Sequence, residues 1–69
     1  MQTMQIQLNG DALALPEGHT VAQLLDRLAL TGRRVAVELN QEIVPRSQHV
    51  STVLQPGDRV EVVHAIGGG

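Results

Sequence analysis

The chain has 69 residues, a mass of 7.4 kDa and a formal net charge of −2, which is room for one domain that buries on folding only about 60% of the surface its unfolded chain exposes. Hydrophobic residues make up 42% of it, yet Phe, Trp, Tyr, Cys and Lys are all absent, so the core has to be packed from Leu, Val, Ile, Ala and Met. These absences argue against nucleic-acid binding, which wants a basic face or stacking rings, and they exclude disulfides, thiolate metal sites, a thiol nucleophile and lysine Schiff-base chemistry.

Met4, Ile6 and Leu8 alternate with Gln5 and Gln7, the period of a strand with one buried face. Residues 1–3 fall outside that period and are expected to be a frayed extension. Asn9-Gly10 follows, and both residues tolerate the positive φ of a type I′ turn, so a hairpin into a second strand bearing Leu13 and Leu15 is predicted. Pro16-Glu17-Gly18 stops that strand. Thr20 then stands three residues before Gln23, the spacing of a capping box, and Val21, Leu24, Leu25 and Leu28 form one apolar helical stripe, with Gly32 placed to end the helix.

Val35, Val37 and Leu39 mark a third strand closing at Asn40-Gln41. Ile43-Val44-Pro45 is short and proline-stopped, hence an edge strand. Residues 46–54 carry no clean period and read as loop or a short turn of helix, with Ser47 and Ser51 as turn residues. Gln55-Pro56-Gly57-Asp58 supplies a turn that Asp58 serves, and Val60 and Val62 mark the last strand. The expected architecture is α+β: a sheet with one helix laid across a single face, so that all elements share one core.

On the sheet face away from the helix, alternation places Gln5, Gln7, Ala12, Ala14, Ala36, Glu38, Glu61 and Val63. That surface is small-residued, lightly charged and cheap to desolvate. Beyond Val63 the chain runs His64-Ala65-Ile66 and closes on Gly67-Gly68-Gly69. A phosphate-cradling loop is not expected there, because such a loop needs a following helix. His19, His49 and His64 lack ligand-like spacing, so no metal site is expected, and no Ser, His and Asp arrangement suggests nucleophilic catalysis. Arg33-Arg34 reads as a solvated pair, too small to make an anion-binding field by itself.

Taken in order, Met4-Gln5-Ile6 leading into Leu8-Asn9-Gly10, Thr20-Val21 followed by Leu24-Leu25, Ala36-Val37-Glu38-Leu39-Asn40, Ile43-Val44-Pro45-Arg46, Gly57-Asp58 and Gly68-Gly69 resemble the ubiquitin-like sulfur carriers of thiamine biosynthesis, the ThiS-like family. The resemblance covers almost all of the chain from Met4. It implies a β-grasp fold: a mixed four- to five-stranded sheet with one helix packed across one face, residues 1–64 forming the domain and 65–69 a flexible glycine tail.

The resemblance also implies that this chain is not an enzyme and binds no cofactor itself. A ThiF-like adenylating enzyme uses ATP to activate the Gly69 carboxylate, the adenylate is exchanged for a thiocarboxylate, and a ThiG-like thiazole synthase takes the sulfur. Gly67 and Gly68 suit a tip that threads a narrow channel, where only a residue without Cβ adopts any φ cheaply. Extended, residues 65–69 reach about 17 Å. Ordering them costs about 1 to 2 kcal/mol each, so a partner must also grip the domain body. Val63 and Ile66 beside the tail, with Ala14 and Ala36 on the open face, are the expected docking residues, and Arg46 is a further candidate contact because it closes the family-like Ile43-Val44-Pro45-Arg46 segment.

Three other functions are compatible with such a chain. The small subunit of molybdopterin synthase also ends in diglycine, although that group tends to be longer and to carry aromatic residues. A ubiquitin-like interaction module with an inert tail and a modifier that forms amide conjugates are the others. No signal-peptide pattern and no apolar run of membrane-spanning length is present, so a cytoplasmic protein without membrane contact is expected.

Overall fold

In the computed structural model, which describes residues 2–64, the chain forms β1 (Thr3–Leu8), β2 (Asp11–Pro16), α1 (Val21–Arg27), β3 (Val35–Leu39), β4 (Glu42–Val44), a 3₁₀ turn (Arg46–Gln48) and β5 (Arg59–His64). The five strands make one sheet in the order β2-β1-β5-β3-β4. Neighbours are antiparallel except β1 and β5, which run parallel at the centre with Gln7 opposite Arg59 and Leu8 opposite Val60.

Asn9 and Gly10 join β1 to β2 with φ of 50° and 88°, the left-handed pair a type I′ turn requires. Asn40 and Gln41 repeat the device between β3 and β4, at 51° and 72°. β4 is the edge expected of a strand running into Pro45. At the other end of β1, Thr3 pairs with Pro16 and the Gln2 carbonyl accepts from the Glu17 amide at 3.0 Å. Residues 2 and 3 are therefore part of the hairpin and not a frayed extension, because cross-strand pairing continues where side-chain alternation has stopped reporting it.

The capping box forms as expected: Gln23 N–H donates to Thr20 Oγ1 at 3.2 Å and Thr20 N–H donates to Gln23 Oε1 at 2.9 Å. The other end of α1 differs from expectation. The helix stops at Arg27 and Gly32 lies beyond it, in a following turn. Ala29 takes the left-handed conformation at φ 59°, its N–H donating to the Asp26 carbonyl at 3.0 Å while Leu30 N–H donates to the Leu25 carbonyl at 2.8 Å. This is a Schellman ending with alanine in the place glycine usually fills, and it turns Leu30 back against the core.

Met4 and Ile6 of β1, Leu15 of β2, Val37 of β3, Val44 of β4 and Val60 and Val62 of β5 are buried against Val21, Leu24 and Leu25 of α1. Full burial of such side chains is worth about 1.5 to 3 kcal/mol each, which a core with no ring in it has to collect residue by residue. Leu54, 1% exposed, completes the cluster from an irregular segment. That segment is laced to the start of α1: Leu54 N–H donates to the His19 carbonyl at 2.9 Å and Val21 N–H donates to the Thr52 carbonyl at 2.9 Å. Asp58 serves its turn as predicted, its Oδ2 accepting from Gln55 N–H at 2.7 Å. Among the described residues no helix is long and apolar enough to cross a membrane.

Candidate functional site

All eight residues expected on the open sheet face lie there. The register sets Gln5 opposite Ala14 and Gln7 opposite Ala12 on one side of β5, and Ala36 opposite Val63 and Glu38 opposite Glu61 on the other. Two more join them: Arg59, opposite Gln7, and Ile43, opposite Glu38. Arg59 shares the period of Glu61 and Val63, and Ile43 was legible as the outward residue of the edge strand. Val63 is 56% and Ile43 64% exposed, a large apolar exposure for a face that could have been wholly polar.

The face is graded along β5. Arg59 stands at its start, Glu61 in the middle beside Glu38, and Val63 beside half-buried Ala36 at the end. His64, paired with Val35, is the last described residue of β5. Val63 and Ala36 thus adjoin the point from which the remaining chain departs. Ile66 and the glycines Gly67, Gly68 and Gly69 lie outside the described residues, so of the expected docking set the structure brings together Ala36 and Val63, with Ala14 further along the same face across β1.

Arg46 is elsewhere. It opens the 3₁₀ turn on the helix side of the sheet and lines a groove with Leu25 of α1, Arg33 and His49. His49 is buried, and its Nε2 donates to the Val44 carbonyl at 3.1 Å, which makes it a brace between the 3₁₀ turn and β4. Among the described residues no cluster of three or more His, Asp or Glu is placed to hold a metal ion.

A mixed five-stranded sheet with central parallel first and last strands, one helix on one face and a lightly charged opposite face is the frame in which the sequence can be compared with known proteins. The sequence model of the ThiS family matches residues 3–69. This chain belongs to the ThiS family. The match begins at Thr3, where β1 begins, and extends through the glycines.

The sulfur carrier protein ThiS of Escherichia coli K12 is 38% identical over 66 residues, covering 96% of this chain and 100% of its own length. A thiazole synthase of Paramagnetospirillum magneticum is 41% identical over 66 residues, covering 96% of this chain. This chain spans only 20% of that protein's length. The crystal structure of the thiamine biosynthesis protein ThiS from Geobacter metallireducens superposes with a TM-score of 0.83 at 33% identity, covering 96% of this chain and 100% of that one. The fold is accordingly the β-grasp of ThiS proteins.

Proposed function

We propose that this ThiS-family chain is the sulfur carrier of thiamine biosynthesis, a protein that brings its own carboxylate to other proteins' active sites and performs no catalysis itself. Residues 1–64 serve as the gripped body and 65–69 as the inserted tip. The observation that carries this reading is the position of β5: it is the central strand, its exposed Val63 lies on the open face beside Ala36, and its end leads directly into Ala65-Ile66-Gly67-Gly68-Gly69.

A terminal α-carboxyl is ionised at neutral pH. Its oxygen attacks the α-phosphorus of ATP in a ThiF-like adenylating partner, forming a carboxyl–phosphate bond as the bond to pyrophosphate breaks. A sulfur nucleophile then attacks the acyl carbon and AMP leaves, so the chain carries a thiocarboxylate on Gly69. A ThiG-like thiazole synthase accepts that sulfur. The occurrence of a similar stretch within a protein named as a thiazole synthase supports that second partnership, and in this reading the carrier works in the cytoplasm beside both enzymes.

Ala14, Ala36 and Val63, with Ile66 beyond them, are the docking contacts in this reading. The test is intact mass after incubation with ATP, sulfide and the adenylating enzyme. A sulfur-for-oxygen mass gain on Gly69 is expected, and it should be lost when Gly68 and Gly69 are removed. Amide conjugates to larger proteins, or no mass change at all, would replace the carrier by a modifier or an inert module. Ala14→Glu and Val63→Glu leave buried contacts untouched and are expected to slow the gain about tenfold or more, the equivalent of about 1.4 kcal/mol of docking energy.

A further inference from the structure

On the helix side of the sheet lies a half-open groove of about 440 Å³. Its floor is aliphatic, formed by Leu25 of α1 and by Leu30 and Val35 on either side of the 31–34 turn, with Val50 at its rim. Val50 is 75% exposed, more than Val63 or Ile43 on the opposite face. Three of the chain's five cationic side chains, Arg33, Arg34 and Arg46, line the same groove, and among the described residues no carboxylate does. Asp26 stands behind the 31–34 turn, its Oδ1 accepting from Thr31 Oγ1 at 3.4 Å.

In a chain with more acidic than basic residues, this concentration of one sign over an apolar floor is a local reversal of the overall charge. The pair Arg33-Arg34 alone would be a weak field. Arg46 joins the groove from the end of the neighbouring strand, because β4 pairs with β3, Pro45 ends β4, and the 3₁₀ turn is braced by His49 on the Val44 carbonyl. Guanidinium groups donate to carboxylates in a fixed fork geometry. The groove is therefore built for something with aliphatic side chains and carboxylates in alternation. Its half-open form and exposed Val50 suit an extended chain lying along it better than an enclosed small molecule.

We infer that this groove docks an acidic, aliphatic-rich extended segment of a partner protein, seating its aliphatic side chains on Leu25, Leu30 and Val50 and its carboxylates on Arg33 and Arg46. It lies across the sheet from Ala14, Ala36 and Val63, so both surfaces can be occupied at once. Val35 belongs to the groove and is paired with His64, which puts the bound segment next to the root of the tail. The inference does not depend on the sulfur chemistry.

The test is amide chemical-shift mapping of the full chain titrated with the capped peptide acetyl-Glu-Leu-Glu-Ile-Glu-amide, with its Gln-for-Glu counterpart and sodium octanoate run in parallel. Saturable shifts confined to residues 22–35 and 46–50 are expected for the acidic peptide, several-fold weaker for the neutral one. Arg33→Glu and Arg46→Glu should each weaken binding about fivefold or more and flatten its salt dependence, while Arg27→Glu, an exposed arginine of α1 outside the groove, should not. Val50→Ser should weaken it without changing the salt dependence. Shifts on the open sheet face, equal loss in Arg27→Glu, octanoate binding as tightly as the peptide, or no saturation at millimolar peptide would each overturn the inference.

Discussion

The side-chain amide of Asn9 lies against the backbone of Val62 as though it were another residue of the sheet: Nδ2 donates to the Val62 carbonyl at 3.2 Å and Oδ1 accepts from the Val62 N–H at 2.9 Å. Asn40 mirrors it on the other side of β5. Its backbone N–H donates to the Arg59 carbonyl at 2.8 Å, its Oδ1 accepts from Arg59 N–H at 3.0 Å, and its Nδ2 donates to Asp58 Oδ1 at 3.1 Å. Each hairpin turn thus does two things, reversing its own chain and clamping the last strand.

These roles separate by substitution. Asn9→Gly keeps the left-handed backbone and loses only the two side-chain bonds, which is expected to cost about 1 to 2 kcal/mol. Asn9→Ala loses the bonds and adds the strain of a Cβ at positive φ, about 1 kcal/mol more. Urea unfolding measures both, and equal costs for the two variants would show that the φ of 50° carries no penalty.

Ala29 at φ 59° is a stability reserve left unused. Ala29→Gly is expected to raise stability by about 0.5 to 1 kcal/mol, since the relief of left-handed strain exceeds the entropy glycine adds to the unfolded chain. Gly32→Ala should do the opposite: its φ is +82°, and a Cβ there strains the backbone even though nothing lies within 4 Å of it. Thermal melts resolve both, at about 4 to 8 °C per kcal/mol for a chain of this size.

Leu54→Ala is expected to cost about 2 to 5 kcal/mol, the range for deleting a fully buried leucine, and in so small a core that endangers folding at about 37 °C. Val53→Ala, one residue away and 47% exposed, should cost less than about 1 kcal/mol. Denaturant midpoints for the pair would show whether the irregular segment contributes through this one side chain.

Glu38 and Glu61 face each other directly across β3 and β5, an arrangement that like charges make unfavourable. Glu61→Gln is expected to stabilise the fold by a few tenths of a kcal/mol at low ionic strength, the gain shrinking as salt screens the pair. Unfolding curves at low and high salt check it; a gain independent of salt would assign the effect to something other than charge.

The local signals in the sequence were strong where neighbouring residues set the conformation by themselves. Asn9-Gly10, the Thr20 and Gln23 box and the alternation through Val60 and Val62 each named their element, and the open face followed from alternation alone. What escaped had non-local causes. Leu54 sits in a stretch with no period, so its burial is decided by strands that are distant in sequence. Gly32 drew the helix end toward itself by propensity, while the carbonyls of Leu25 and Asp26 were already satisfied by Leu30 and Ala29.

The groove was illegible for the same reason. Arg46 meets Arg33 and Arg34 only once β3, β4 and the 3₁₀ turn have been laid down. The roles proposed for Gly67, Gly68 and Gly69 rest on family resemblance and on no geometry of the described residues.

The parallel pairing of β1 with β5 has a mechanical corollary. A tug on the far end of β5 runs along the strand, so it loads the lateral bonds to β1 and β3 in shear, all together, instead of peeling them one at a time. Under the function proposed above, an enzyme drawing the tip inward would work against a well-moored tether, and the domain could be hauled in or released without coming undone.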